Sequence, residues 1–141
     1  MAVIAGATFA HGVAVSRAAP VTADQIAACE KRGGSAETRI TNCTAVIDGT
    51  RSASVKARAR TSKAGALEER GDSLKAKNDI DGALRDYSEA LTLNKDKSTL
   101  LFKRGMIYRD RNESDQAIAD LEGALKGDKR NNELMNALSH L

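Results

Sequence analysis

Two cysteines, two histidines and one run of basic residues are the side chains whose types and spacing could carry chemistry. Cys29 and Cys43 could close a disulfide, hold a metal or supply a thiolate. They lack C-x-x-C spacing and no histidine pair accompanies them, so neither a zinc site nor redox catalysis is expected. His11 and His140 stand near the two ends of the chain, and no serine, cysteine or carboxylate is set beside either in a nucleophile–base pattern. The carboxylates Asp79, Asp81, Asp86, Asp115 and Asp120 fall at helix starts or along second helices, where capping and helix-dipole interactions account for them. This inventory gives no catalytic residue, no metal and no cofactor, and an enzyme is not expected.

The basic run is Arg51, Lys56, Arg58, Arg60 and Lys63, five cations in 13 residues that contain no acid. Lys56, Arg60 and Lys63 recur at i, i+4 and i+7, which puts them on one helix face. Such a strip could grip an anionic surface, either nucleic acid or membrane headgroups. No aromatic residues interleave for base stacking and no recognition-helix pattern is present, so nucleic acid is not the expected partner. A solvated helix face is the plainer reading.

The element that must position these residues is a 34-residue unit present twice, over 64–97 and 98–131. Leu67/Leu101, Arg70/Arg104, Gly71/Gly105, Asn78/Asn112, Asp81/Asp115, Ala83/Ala117, Asp86/Asp120, Ala90/Ala124, Leu91/Leu125 and Lys95/Lys129 are identical pairs. Ten identities stand where ordinary composition gives roughly two. A unit of this length is a helix–turn–helix that cannot bury its apolar stripe alone and must stack on a neighbour. Composition agrees: 41% of residues are apolar but only 3% aromatic, with much of the remainder alanine, which suits closely packed helices better than a β-sandwich. The fold expected is all-α. The net charge of +3, with acids and bases interleaved through both units, neither requires nor excludes a polyanion.

The two units resemble tetratricopeptide repeats. Gly71 and Gly105 stand where that family has a small residue at the helix crossing, and Ala83, Ala117, Ala90 and Ala124 fill the other close-approach positions. Tyr87 and Leu121 take the large position on the second helix, Leu74 and Tyr108 the one on the first. Two departures are Arg70 and Arg104 for a common leucine, and Lys95 and Lys129 for the usual proline. The resemblance implies a short α-solenoid of about three helix hairpins with a capping helix at 132–141. It also implies a concave groove lined by first helices, in which a peptide or partner segment lies. Carried over by position, the groove residues are Glu68, Asp72 and Lys75 in the first unit and Thr99, Phe102, Lys103, Met106 and Arg109 in the second. Phe102 and Met106 would form its apolar centre, or else pack against the preceding repeat. Glu68 and Asp72 occupy the early positions of the family's carboxylate clamp, so a clamp for a C-terminal carboxylate is not implied.

Upstream, residues 22–48 read as a hairpin that resembles a degenerate repeat, with Thr22 and Ser35 as caps and the turn at Gly33-Gly34. Arg39 stands in the slot that takes Ala83 and Ala117 later. Cys29 and Cys43 lie at roughly comparable distances from the turn, so a disulfide stapling the hairpin is expected; two buried thiols acting as small core residues are the alternative. Ala53 to Lys77 reads as one long first helix. Residues 1–20 form a leader, separate from the helical domain at 21–141. It is uncharged from Met1 to Ser16 with His11 neutral, and it ends in small residues, like the apolar core and cleavage region of a secretory signal peptide, although no Lys or Arg precedes the apolar run. It is too short to span a bilayer as an ordinary helix, and the mature chain is expected to have no membrane span. The expected compartment is periplasmic or extracellular, with the cytoplasm as the alternative. The function expected is protein–protein interaction in the groove, with an anionic-surface binder using 51–63 as the rival.

Overall fold

Five helices begin where the sequence supplies a side-chain oxygen for the unpaired N–H groups of a first turn. In the computed structural model, which describes residues 20–94, 97–127 and 131–141, seven helices are present and no strand among the described residues. The leader readings on 1–20 fall outside the described residues apart from Pro20, as do Lys95 and Lys129. Helix α1 (Ala23–Glu30) opens on a reciprocal capping box between Thr22 and Gln25, at 3.2 and 2.9 Å. Ser35 caps α2 (Ala36–Gly49), Ser52 caps α3 (Ala53–Ala76) and Asp79 caps α4 (Ile80–Leu93). Helix α5 (Ser98–Asp110) has no side-chain cap, α6 spans Ser114–Gly127, and Asn131 caps α7 (Asn132–Ser139).

The 34-residue period of the sequence reappears in the backbone. Asn78 and Asn112 both adopt the left-handed conformation, with φ of 65° and 59°. Around each, the N–H groups return to the preceding helix in the same pattern. Asn78 N bonds Lys75 O and Asp79 N bonds Leu74 O; Asn112 N bonds Arg109 O and Glu113 N bonds Tyr108 O, all at 2.9 Å. This is the Schellman ending, and asparagine enters the left-handed region at lower cost than most residues.

Helices pack chiefly on their neighbours in the chain, and α1 also reaches α3. The apolar interior is accordingly spread along the chain. One cluster, with Leu67, Tyr87 and Ile107, joins α3, α4 and α5. A second, with Val46 and Ala59, surrounds the cysteines, and a third joins Leu121 and Ala124 of α6 to Leu134 and Ala137 of α7. Cys29 and Cys43 are bonded to each other, with Cα atoms 4.6 Å apart, an ordinary span for a disulfide.

Two glycines of α3 make opposite predictions. A Cβ on Gly71 would lie 2.6 Å from Cε1 and 2.9 Å from Cδ1 of Tyr87, a ring that is fully buried and tethered through its hydroxyl to Asp72. The ring cannot retreat, so Gly71→Ala is expected to destabilise by ~1–3 kcal/mol. On Gly65 the nearest atom to a new Cβ is Arg39 Nη2 at 3.8 Å, ordinary contact. There the substitution removes only the unfolded-state freedom of a helical glycine, and Gly65→Ala is expected to stabilise by ~0.5–1 kcal/mol. Urea melts of the two variants check this; shifts of the same sign would contradict the packing described.

Candidate functional site

Arg70 and Arg104 are built into the packing. Arg70 Nε and Nη2 donate to Asp86 at 2.7 Å each, and Arg104 Nε and Nη2 donate to Asp120 at 2.6 and 2.8 Å. Asp86 and Asp120 are only 4% and 6% exposed. This corrects the sequence reading of both aspartates as dipole or capping residues: they are the buried halves of two-point ion pairs that tie first helix to second in each repeat. Arg70 also reaches Glu37 of α2 at 2.9 Å, and Arg104 reaches Ser88 at 3.0 Å while lying over the Tyr108 ring. The hydrogen bond to the aspartate, opposed by burial, pushes each guanidinium above its already high value.

A second polar group lies between α3 and α5. Lys103 Nζ donates to Glu68 at 2.6 Å and to Asp72 at 2.7 Å, and Tyr87 donates its hydroxyl to Asp72 at 2.6 Å. Burial acts to lower the Lys103 ammonium, but its bonds to Asp72 and Glu68 outweigh that and leave it above the ordinary 10.5. Burial and then the bond to Asp72 hold the Tyr87 phenol well above its ordinary 10.0. Both groups favour the protonated form when folded. Their contribution is therefore complete below the unfolded values and is lost as pH rises through the folded ones. Urea midpoints are expected to decline above about pH 10, and Tyr87→Phe is expected to flatten that decline. An unchanged midpoint between pH 9 and pH 11, taken roughly, would contradict the network.

The structure thus brings together Glu68, Asp72 and Lys103 of the expected groove. Lys75 and Thr99 are exposed, and Arg109, half-buried, pairs with its neighbour Asp110 at 2.9 Å. Phe102 and Met106 are half-buried against the α6–α7 cluster, so their apolar surface is shared with the following helix. Among the crossing positions, Ala83, Ala90, Ala117, Leu121 and Ala124 are buried, Tyr108 is half-buried, and Gly105 faces Leu121, whose Cγ would lie 3.0 Å from an added Cβ.

Glu68 and Asp72 also form one wall of a cleft of about 430 Å³. The opposite wall is Glu30 and Arg32 at the α1–α2 turn with Arg39 of α2; Thr61, Ser62, Gly65 and Glu69 complete the α3 side. Arg39 is 6% exposed. Its Nη1 donates to Glu69 at 2.6 Å, while its buried Nε meets no acceptor among the described residues. An unpaired buried N–H carries a desolvation cost of about 1–3 kcal/mol. Sequence reasoning passed over Glu30, Arg32, Gly65 and Glu69, since nothing in their spacing links the α1–α2 turn to the middle of α3. The one available signal was Arg39, a long cation in a slot that holds alanine in both later units.

The five cations of 51–63 divide. Arg58 pairs with Glu30 at 2.9 Å and Lys63 with Glu89 at 2.8 Å, whereas Arg51, Lys56 and Arg60 make no ion pair among the described residues. Among the described residues no cluster of three or more His, Cys, Asp or Glu could hold a metal ion, and no helix is long and apolar enough to cross a membrane. No protein-family model, curated protein or solved structure matches the chain.

Proposed function

We propose that the chain is a non-enzymatic interaction scaffold, a short α-solenoid of tetratricopeptide-type hairpins that holds a partner peptide on its first-helix face. The observation that carries this reading is the cleft against α3. It lies along the first helix of a repeat, it contains Glu68 and Asp72 of the expected groove, and its walls are set by ion pairs before any ligand arrives. Preset walls lower the ordering cost of binding. Glu69 is held by Arg39 and Glu30 by Arg58, but Glu68 and Asp72 share the single cation Lys103, so that wall keeps one uncompensated negative charge and the complementary segment carries lysine or arginine there.

The buried Cys29–Cys43 bond supports folding in an oxidising compartment, periplasmic or extracellular, since such bonds rarely persist in a reducing cytoplasm. The rival reading, an anionic-surface binder, is weakened because two of the five cations in its strip are engaged with carboxylates of the same chain.

Selection from a displayed library of linear peptides tests the proposal. Enriched sequences are expected to carry basic side chains and to lose about tenfold in affinity for the Glu68→Gln, Asp72→Asn double variant, which keeps hydrogen-bonding capacity but removes charge and leaves the Arg39–Glu69 pair in place. Enrichment of acidic or purely apolar sequences, or none, would contradict it.

A further inference from the structure

A second concavity lies further toward the N-terminal end of α3, and its chemistry is the reverse of the first. It encloses about 850 Å³ between the first half of α3 and the last residues of α4, with Glu30 at its margin. Ala53, Ala57 and Leu93 give it an apolar lining, and Lys56 and Arg60 stand on it one helical turn apart. Of the charged residues there, Arg58 and Glu30 neutralise each other. That leaves Lys56, half-buried, and Arg60, exposed, as the cations with no ion pair among the described residues.

We propose that this concavity docks an acidic, partly apolar segment of a partner protein, with two carboxylates about one helical turn apart seated on Lys56 and Arg60. Such a segment is complementary in charge to the two cations and apolar where the lining is apolar. Two carboxylates at i and i+4 on a helical segment match two cations at i and i+4 on α3, and apolar side chains between them meet Ala53, Ala57 and Leu93. A phosphate backbone is the poorer match. It needs a broad unpaired basic face, and here only two of the strip's cations without an ion pair among the described residues, Lys56 and Arg60, border the concavity, with no aromatic residue to stack a base. The site is distinct from the polar cleft, although Glu30, Thr61 and Ser62 border both, and it stands whether or not that cleft binds a basic peptide.

The test uses the full chain and a synthetic amphipathic helical peptide with two glutamates one turn apart and leucines between them. Its glutamine counterpart, a polyphosphate and vesicles rich in anionic lipid serve as competing probes. The glutamate peptide is expected to bind at least about tenfold more tightly than the glutamine one. The Lys56→Glu, Arg60→Glu double variant is expected to abolish the difference, and Arg51→Glu, outside the concavity, to leave it intact. Lys56→Gln with Arg60→Gln repeats the measurement should the charge reversal lower helicity. Three results would each overturn the proposal: no saturable binding, equal binding of the two peptides, or polyphosphate or vesicles bound more tightly than the glutamate peptide with equal sensitivity to Arg51→Glu.

Discussion

Arg104→Met is expected to destabilise the protein by ~3–5 kcal/mol, the largest effect of any single substitution considered. The cost comes from what remains. Asp120 is 6% exposed and accepts both of its strong bonds from Arg104, at 2.6 and 2.8 Å, so methionine leaves a buried carboxylate without a partner. Adding Asp120→Leu to Arg104→Met is expected to recover much of the loss, since replacing a whole buried pair by apolar residues is often close to neutral. Urea melts of the two singles and the double form a cycle with a strongly non-additive result. Additive effects would mean that the pair is not coupled as the geometry describes.

Removing the disulfide, by Cys29→Ala with Cys43→Ala, is expected to cost ~3 kcal/mol, the figure the chain-entropy model gives for a loop of this size. The two cysteines are 14 residues apart and buried beside Val46 and Ala59, so the bond fixes α1 on α2 where both meet α3. The loss is therefore expected to reach the α3 interface rather than stop at the hairpin. A melt in which amides of α1 and α2 lose hydrogen-exchange protection while those of α3 keep theirs would contradict that coupling. Thiol labelling of the native protein without reductant is expected to find no reactive cysteine.

Much of this was legible in the sequence because it repeats. The turns at Asn78 and Asn112 recur as identical residues with identical backbone hydrogen bonds. The ion pairs recur too, and the spacing of 16 residues from Arg70 to Asp86 and from Arg104 to Asp120 was visible. Read one residue at a time, the arginines were departures from a family pattern and the aspartates were ordinary helix acids; only the paired recurrence gives the interaction. Cys29 and Cys43 could be matched only approximately, by their roughly comparable distances from the turn at Gly33-Gly34, and two buried thiols stood as the alternative. What did not show was contact between elements that share no period. The place of Phe102 and Met106 depends on which helices lie against them, and the cluster shared by α6 and α7 stands there. The polar cleft depends on the α1–α2 turn meeting the middle of α3, and Arg39 gains meaning only beside Glu69 and Gly65.

The central claim is that a partner segment lies along the first helix of the repeats. A backbone-amide NMR titration with a peptide enriched from the displayed library tests it most directly. The account predicts saturable shifts confined to Glu30–Arg39 at the α1–α2 turn and Thr61–Asp72 of α3. Shifts gathered instead on α4 and α6, with the α3 amides from Thr61 to Asp72 unmoved, would contradict it.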